Sequence, residues 1–366
     1  MNIGLLYPTR ERNTTGVRNL TKGTIIETLK QDRENNYFFT DDTYFDGEYK
    51  PISNIKWGGY EAECERYDFM CYCKDIDLIH SYWNTFELMQ YKCKKIITIH
   101  DLIPLIHPEW HTLHDYFDTQ VRRTVAMADL VITNSEYTKS DVIKYFNAAP
   151  EKVKPVYPGL LHTLDFKHDN KEVLHKFNIK GEYVMSVSTI EPRKNLRGLL
   201  NGFISFKKAH EKSDLKLVLV GGIGWDKEFE SYINGLDDYR DSIILTGFVT
   251  DEELSALYKY ALAVAYVSFY EGFGLPILEA LTAGKAVISS DTTSMPEVGG
   301  NAVCYCNPYK VDSIEAAFEQ VVYNDSYRKE LESMARAQAS RFSYEKAAKE
   351  TIAIYNAISF MRLHYI

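Results

Sequence analysis

Residues Tyr183–Val220 read YVMSVSTIEPRKNLRGLLNGFISFKKAHEKSDLKLVLV, and this stretch predicts the fold class. The apolar run Tyr183–Ser188 predicts a buried strand, the helical period over Asn195–Ala209 predicts a helix, and Lys216–Val220 predicts a second strand. Strand, helix and strand in this order are typical of a parallel sheet covered by helices. The polar loop after the first strand lies at a carboxyl end, where such sheets bind ligands.

The same alternation continues on both sides of this stretch. Further strands are predicted at Asn2–Tyr7, Tyr37–Thr40, Leu78–Ser81, Lys95–His100, Leu130–Asn134, Val153–Tyr157, Ile243–Leu245, Ala263–Val267, Ala286–Ser289 and Ala302–Cys306. Further helices are predicted at Gly16–Lys30, His114–Ala128, Lys139–Phe146 (capped by Thr138 or Ser140), Lys227–Asn234, Glu252–Tyr260, Pro276–Thr282, Ser313–Tyr323, Tyr327–Ser340 and Ser343–Ile358. We therefore predict an α/β protein with two doubly wound, Rossmann-like domains that face each other across a cleft.

The polar segment Leu161–Asn178 interrupts this rhythm, and 366 residues are enough for two domains of common size. We predict an N-terminal domain over residues 1–165 and a second domain over residues 166–342. Residues 343–366 are predicted to form a C-terminal helix that crosses back to the first domain.

Composition narrows the class of function. The chain has 45% hydrophobic and 25% charged residues and a formal net charge of −9, which argues against a nucleic-acid-binding protein. The N-terminal sequence MNIGLLYPTRER predicts a first strand and not a signal peptide. The six cysteines include two C-x-C pairs, a spacing that favours free thiols over a metal site. We expect a cytoplasmic protein with no metal site.

A second informative stretch, Tyr270–Gly284, reads YEGFGLPILEALTAG. Pro276 suits the first turn of a helix and Gly284 the position just past its end. The carboxylates Glu271 and Glu279 lie on either side of the helix start, and carboxylates accept hydrogen bonds from the hydroxyls of a ribose or hexose. An acidic helix start would explain Glu279 alone and would leave the glycines of the loop unexplained.

Two adjacent cations, Arg193 and Lys194, lie in the loop Ser188–Asn195, which reads STIEPRKN. Two positive charges beside a helix N-terminus are unfavourable unless an anion offsets them, and a diphosphate would do so. The alternative is a solvated basic loop with Asn195 as a helix cap.

These motifs, taken in order, resemble those of the retaining, nucleotide-sugar-dependent glycosyltransferases of family 4, which have the GT-B fold. The resemblance rests on STIEPRKNL, LVLVGGIGW, ILTGFVTDEELSALYKYA, EGFGLPILE and SMPEVGGNA, which cover most of Tyr183–Ala302. The N-terminal half is similar more loosely, through TIHDLIPL at Thr98–Leu105 and ITNSEYTKSDV at Ile132–Val142.

The resemblance implies roles for individual side chains. Glu271 matches the family's glutamate near the transferred sugar, and Glu279 matches the one that holds the ribose hydroxyls. Arg193 and Lys194 match the cationic pair on the donor phosphates. His100, with its neighbour Asp101, matches an acceptor-side position beside the donor sugar.

The resemblance also implies that the backbone approaches the donor at several positions. These are Gly16 in the first loop, Gly247 and Phe248 at the nucleobase, and Phe273, Gly274 and Leu275 at the sugar and phosphate. The first loop departs from the family because it lacks two adjacent glycines. Arg10 and Arg12 in that loop could bind an anionic acceptor or the phosphate, or be solvated, and the sequence does not decide.

The family implies retention of anomeric configuration without a metal ion, and a nucleotide sugar that is a substrate and not a cofactor. STIEPRKNL is similar to members that transfer mannose or rhamnose in surface polysaccharide assembly, so GDP-mannose is the predicted donor, with UDP sugars and dTDP-rhamnose as alternatives. The acceptor is predicted to be a glycan or a lipid-linked glycan, with peripheral contact at the inner membrane face left open.

Two other classes of protein are the alternatives to a glycosyltransferase. A nicotinamide dehydrogenase would require a complete G-x-G-x-x-G with an acidic partner, which Gly221–Gly224 does not supply. A non-catalytic two-domain sugar-binding protein would share the architecture, but it would normally be exported.

Overall fold

The structure is a computed structural model, and it describes residues 1–6, 15–39, 55–57, 76–82, 93–110, 114–160, 164–166, 170–210, 213–224, 226 and 228–360. The chain divides into two compact units. Unit 1 comprises Met1–Leu161 together with Phe342–Ile366, and unit 2 comprises His162–Arg341.

The described strands are β1 Asn2–Leu6, β2 Asn36–Phe39, β3 Ile55–Trp57, β4 Leu78–Ser81, β5 Lys94–Ile99, β6 Leu130–Thr133, β7 Val153–Pro155, β8 Tyr183–Val187, β9 Lys216–Val220, β10 Ile243–Gly247, β11 Ala263–Tyr266, β12 Ala286–Ser290 and β13 Val303–Cys306. The described α-helices are α1 Thr15–Gln31, α2 Ile103–Ile106, α3 His114–Met127, α4 Glu136–Phe146, α5 Glu172–Lys176, α6 Leu196–Ala209, α7 Phe229–Asn234, α8 Asp251–Tyr260, α9 Leu275–Thr282, α10 Met295–Gly299, α11 Val311–Tyr323, α12 Asp325–Ala339 and α13 Tyr344–Phe360.

Unit 1 is built on a parallel sheet whose described strands lie in the order β3-β2-β1-β4-β5-β6-β7. Consecutive strand residues point to opposite faces, so neighbours such as Ile96 and Ile97 enter different hydrophobic clusters. One cluster includes Ile25 of α1 and Tyr355 of α13. The other includes Val125 of α3 and Val142 of α4. Helices therefore cover both faces of the sheet, as the sequence predicts.

Unit 2 repeats the arrangement in the order β10-β9-β8-β11-β12-β13, again with parallel pairing throughout the described strands. The strands β9 and β10 lie on one side of β8, and the next strand along the chain, β11, pairs with the other side of β8. The point between β8 and β11 is thus the topological switch point, where ligands bind outside the carboxyl ends of the strands. Two doubly wound parallel sheets confirm the predicted fold class.

Several details of the sequence prediction are wrong, namely the start of α4 and the short elements β3, α2, α5 and α10, which were not predicted. Helix α4 begins at Glu136 and not at Lys139, because Ser135 is its cap and accepts a hydrogen bond from the backbone N–H of Thr138 at 3.0 Å. The three-residue strand β3 was not predicted, since so short a segment shows no period.

The C-terminal helix α13 belongs to unit 1, although the chain reaches it only after the whole of unit 2. Its Ala347, Tyr355 and Ile358 are buried in the same cluster as Leu5 of β1 and Leu29 of α1. Tyr355 is fully buried, and its hydroxyl lies 2.6 Å from Nδ1 of His80 on β4. The helix is therefore a structural part of unit 1.

Within the described ranges, no helix is both long and apolar enough to cross a membrane.

Cys304 and Cys306 are buried free thiols, as the spacing predicts, and burial raises the pKa of Cys306 to about 12. Cys64, Cys71 and Cys73 lie outside the described residues. Asp77 directly precedes β4 and accepts a hydrogen bond from the backbone N–H of Asn2 at 2.9 Å.

Candidate active site

The switch point of unit 2 brings together two loops that the sequence singled out. After β8 the chain forms one turn of 3-10 helix, Pro192–Lys194, which carries Arg193 and Lys194. After β11 the chain runs through Glu271 before α9 begins. Because β8 and β11 are neighbouring parallel strands, both loops leave the sheet at the same edge.

Glu271 is paired with both cations. Its Oε2 accepts a hydrogen bond from the Arg193 guanidinium at 2.8 Å, and its Oε1 accepts one from Nζ of Lys194 at 2.7 Å. Nε of Arg193 also donates to Glu191 at 2.8 Å, and Nζ of Lys194 donates to the hydroxyl of Tyr266 at 2.8 Å. Glu271 is 7% exposed and Glu191 8% exposed, so the cluster is largely removed from water.

The ionisation of this cluster follows from burial and charge. Burial alone would raise the pKa of Glu271, but the charges of Arg193 and Lys194 and the hydrogen bonds that it accepts lower it to about 2. Burial and the charge of Arg193 lower the pKa of Lys194, and Glu271 acts in the opposite direction. Glu271 is therefore a fixed carboxylate at neutral pH.

Arg193 and Lys194 have counterions within the protein itself. Glu271 pairs with both cations, and Glu191 pairs with Arg193. The contact of the two cations with a donor diphosphate stays a prediction. Lys194 still has capacity for an anion, because its ammonium carries three N–H donors and two have acceptors within the described part of the chain.

Asn195 fixes the turn that carries the two cations. It has a left-handed backbone (φ 54°) at the start of α6, and its side-chain amide donates to the carbonyls of Val267 at 3.0 Å and Pro308 at 2.8 Å. The carbonyl of Arg193 accepts a hydrogen bond from the backbone N–H of Phe269 at 2.9 Å. These bonds join the loop after β8 to the loop after β11. They therefore fix the position of Arg193 and Lys194 relative to Glu271.

The loop from Glu271 to Leu275 is held from the other side by α10. The hydroxyl of Ser294 donates to the carbonyls of Glu271 at 2.9 Å and Phe273 at 2.8 Å. Phe273 is buried, and Gly274 precedes the first residue of α9 with φ 113°, a conformation that favours glycine. Leu275 is the first residue of that helix. Hydrogen bonds from Ser294 thus hold the predicted loop residues in place directly before the N-terminus of α9.

Glu279 lies on α9 and is not part of the ion cluster. Its Oε2 accepts a hydrogen bond from the hydroxyl of Tyr258, a buried residue of α8, at 2.6 Å. Burial raises the pKa of Glu279, and the hydrogen bond from Tyr258 acts in the opposite direction. The carboxyl group is therefore a positioned acceptor.

The predicted nucleobase positions lie at the end of β10. Gly247 is the last residue of that strand, and its carbonyl accepts a hydrogen bond from the N–H of Gly221 at 3.0 Å. Phe248 is 78% exposed. Its ring lies against Gly222, where a Cβ atom would come within 2.1 Å of a ring carbon. The lack of a side chain at Gly222 therefore leaves room for the ring at this edge.

The remaining predicted residues belong to unit 1. His100 directly follows β5 and is buried, and its Nε2 lies 3.0 Å from the carbonyl of Tyr82. Asp101 accepts a hydrogen bond from the N–H of Ile103 at 3.1 Å. Gly16 is the second residue of α1. Arg10 and Arg12 lie outside the described residues.

Four residues of the site were not assigned from the sequence. Glu191, Tyr258, Tyr266 and Ser294 contact the predicted side chains or their loops. Glu191 has a sequence signal, since it lies two residues before Arg193 in the same loop. No sequence signal marks Tyr258 and Tyr266, because the chain has 27 tyrosines. The residues that these two contact in the site lie far from them in the sequence.

Comparison with known proteins agrees with this arrangement. Residues 169–338 match the family model described as glycosyl transferases group 1, and residues 66–161 match the model described as glycosyltransferase family 4. The O-antigen chain mannosyltransferase B of Escherichia coli is 32% identical over 272 residues, which cover 72% of this chain and 71% of that protein. The larger Escherichia coli serotype-specific mannosyltransferase WbdA is 30% identical over 265 residues, 70% of this chain and 32% of its own length.

Among solved structures, Anabaena HepE in complex with UDP and glucose superposes with a TM-score of 0.73 at 18% identity, covering 98% of this chain and 100% of that one. This likeness concerns the fold alone. The family models and the relatives show that the chain is a glycosyltransferase, and its fold is the GT-B fold. By its sequence matches, the chain belongs to glycosyltransferase family 4.

Proposed function

We propose that the protein transfers a hexose, with retention of anomeric configuration and without a metal ion, from a nucleotide sugar to a glycan or lipid-linked glycan. The observation that carries this proposal is the buried cluster of Glu271 with Arg193 and Lys194 at the switch point of unit 2. A carboxylate beside two cations suits a ligand that has a sugar next to a diphosphate.

In the proposed reaction, the bond between the sugar C1 and the diphosphate oxygen breaks, and the acceptor oxygen bonds to C1 on the same face. The proton of the acceptor hydroxyl goes to the leaving diphosphate. Arg193, Lys194 and the N-terminus of α9 stabilise the charge that develops on that diphosphate. These cations supply the charge that a metal ion would otherwise provide, which supports the proposed metal independence.

The two glutamates have separate tasks in this scheme. Glu271 stays ionised because its pKa lies at about 2, so it accepts hydrogen bonds from the donor sugar's hydroxyls and holds the two cations in place. Glu279, oriented by Tyr258, accepts hydrogen bonds from the ribose hydroxyls. The scheme assigns no nucleophilic attack to a protein carboxylate.

Mannose from GDP-mannose is the proposed donor sugar. Support comes from the relatives above, both of which are named mannosyltransferases. A UDP or dTDP sugar is the alternative, because the backbone of Gly247 and Phe248 at the proposed base position does not by itself select a base.

The test is product formation. The protein is incubated with GDP-mannose, UDP-glucose or dTDP-rhamnose and a panel of lipid-linked or free oligosaccharides, with either excess EDTA or magnesium. The proposal expects transfer from GDP-mannose in EDTA and an α-configured product by NMR. Transfer that requires magnesium, an inverted anomer, or turnover of another donor would each overturn the corresponding part.

A further inference from the structure

Unit 2 has a cavity of about 400 Å³ at the carboxyl ends of its strands. It is lined by the loop after β8, by Asp226 after β9, by Phe269 after β11 and by the first turns of α6 and α7. None of the donor-binding residues predicted in unit 2 is among its described lining residues. Clefts that bind small molecules have about 300–1,000 Å³ and are mostly apolar with a few polar groups. The cavity therefore has the size of a ligand site, and it is separate from the proposed donor site.

The polar lining of the cavity includes an acceptor and donors that other described residues do not use. Glu191 is 8% exposed, and its Oε2 accepts from Arg193, whereas its Oε1 makes no hydrogen bond with a described residue. Arg197 donates to the two carboxylate oxygens of Asp226 through Nε at 3.2 Å and Nη2 at 2.7 Å. Its Nη1 carries two further N–H donors and has no acceptor within the described ranges. Neighbouring hydroxyls of a sugar can both donate and accept, so they can use both groups.

The charges of the lining are balanced, which bears on the class of ligand. Each carboxylate has an arginine partner, because Glu191 pairs with Arg193 at 2.8 Å and Asp226 pairs with Arg197 at 2.7 Å. A phosphate would be repelled by the two carboxylates, and a cation would be repelled by the two guanidinium groups. The lining therefore favours a neutral ligand with hydroxyl groups.

An aromatic pair adds a flat apolar surface to the cavity. The ring of Phe269, which lines it, stacks on the ring of Tyr309 from the loop after β13, with the ring centroids 4.8 Å apart and 22° between the planes. Tyr309 is 65% exposed. Aromatic rings contribute a large apolar contact area, which suits the C–H face of a sugar ring. Polar groups for hydroxyls beside an aromatic surface are a combination that fits a hexose.

We propose that this cavity is a second sugar site of unit 2, which binds a neutral hexose residue of a glycan. The hydroxyls of that hexose donate to Oε1 of Glu191 and accept from Nη1 of Arg197, and its apolar face packs on Phe269 and Tyr309. Glu191 connects this site to the ion cluster, because its other oxygen binds Arg193. For the proposed transfer reaction, on which this consequence rests, the hexose belongs to the acceptor glycan and is a different residue from the one that reacts.

The test is titration calorimetry without nucleotide, using neutral tetrasaccharides of mannose, glucose, galactose or rhamnose. We expect the wild type to bind at least one of them, and Tyr309→Ala and Arg197→Met each to weaken that binding roughly tenfold. Arg197→Met keeps an unbranched apolar stem and removes the donors. The matched control is Tyr323→Ala at the other end of α11, where the ring is 51% exposed and stacks on Phe206, and it should leave the affinity unchanged.

Binding of no tetrasaccharide, an unchanged affinity in Tyr309→Ala and Arg197→Met, or displacement of the tetrasaccharide by excess GDP would overturn the proposal. Hydrogen exchange on the wild type decides the matter if a variant does not fold. The bound tetrasaccharide should slow exchange in residues 190–197 and 226–234, and protection confined to other segments would contradict the site. None of these measurements requires sugar transfer. A protein that binds the glycan here but transfers no sugar would refute the proposed function alone.

Discussion

Glu271 is a buried carboxylate held between two cations, so its ionisation is linked to the stability of unit 2. Its folded pKa of about 2 lies below the ordinary value of 4.5. A depressed folded pKa contributes stability that is fully present above about pH 4.5 and is lost as the pH falls towards 2. Acid should therefore weaken the protein partly through this one group.

The variant Glu271→Gln should show this directly. At pH 7 we expect a loss of about 3 kcal/mol in the free energy of unfolding, because two buried cations lose their partner. Between pH 5 and pH 2 the wild type should lose roughly 3 kcal/mol more than the variant. Urea unfolding at each pH measures both. Glu27→Gln, which removes an exposed pair with Lys30, is the control and should cost less than about 1 kcal/mol. Parallel acid curves for wild type and Glu271→Gln would contradict this account.

At the residue scale, the sequence showed which side chains carry charge but not what they touch. Glu271, Arg193 and Lys194 could be selected because each follows a predicted strand. The direct pairing of Glu271 with both cations could not be predicted, since it depends on the 3-10 turn and on the anchoring of Asn195.

At the scale of elements, the entry to α9 depends on the backbone of Gly274. Its φ of 113° is one that residues with a Cβ rarely adopt, yet the nearest atom to an added Cβ is a flexible end of Ile277 at 3.3 Å. The cost of a substitution here therefore comes from the backbone and not from lack of space.

We expect Gly274→Ala to reduce the free energy of unfolding by roughly 1–2 kcal/mol and to weaken binding at the start of α9. The matched control is Gly235→Ala at the end of α7, where φ is −84° and no atom lies within 3.5 Å of an added Cβ. That control should be neutral or slightly stabilising. Urea unfolding compares the two, and equal effects would show that backbone conformation at Gly274 is not decisive.

Long periodic elements were predicted well, and short or capped ones less so. Helix α6 and strand β9 match within one residue because their apolar patterns are regular. Helix α10, with five residues, was missed, although Ser294 directly before it donates a hydrogen bond to the loop that carries Glu271. Such segments are defined by tertiary hydrogen bonds and not by a local period.

At the scale of the whole molecule, α13 returns to unit 1 and buries Tyr355 among residues of β4 and α1. We expect Tyr355→Ala to destabilise unit 1 by about 3–5 kcal/mol through the cavity it leaves. Hydrogen exchange followed by mass spectrometry should show faster exchange in β1, β4 and α1 and little change in unit 2. Phe318→Ala, in the core of unit 2, is the reciprocal control. Faster exchange throughout both units would contradict an independent core in each.

The doubly wound sheets could be predicted from alternation alone, because parallel strands covered on both faces are almost uniformly apolar. Packing of α13 against α1 rests on contacts between residues more than three hundred positions apart, such as Gln31 with Glu345, and no local pattern reports such a pair.

Thermal unfolding with GDP, UDP, ADP and dTDP, with and without magnesium, tests the proposed nucleotide-sugar site in unit 2. The proteins are the wild type, Glu279→Ala and the control Glu330→Ala, which changes an exposed residue of α12. A ligand at one hundred times its dissociation constant adds about 2.7 kcal/mol to the stability of the folded state. We predict that GDP raises the midpoint of the wild type and of Glu330→Ala without metal, and that Glu279→Ala removes the effect. An equal shift in Glu279→Ala, or no shift with any nucleotide, would contradict the site.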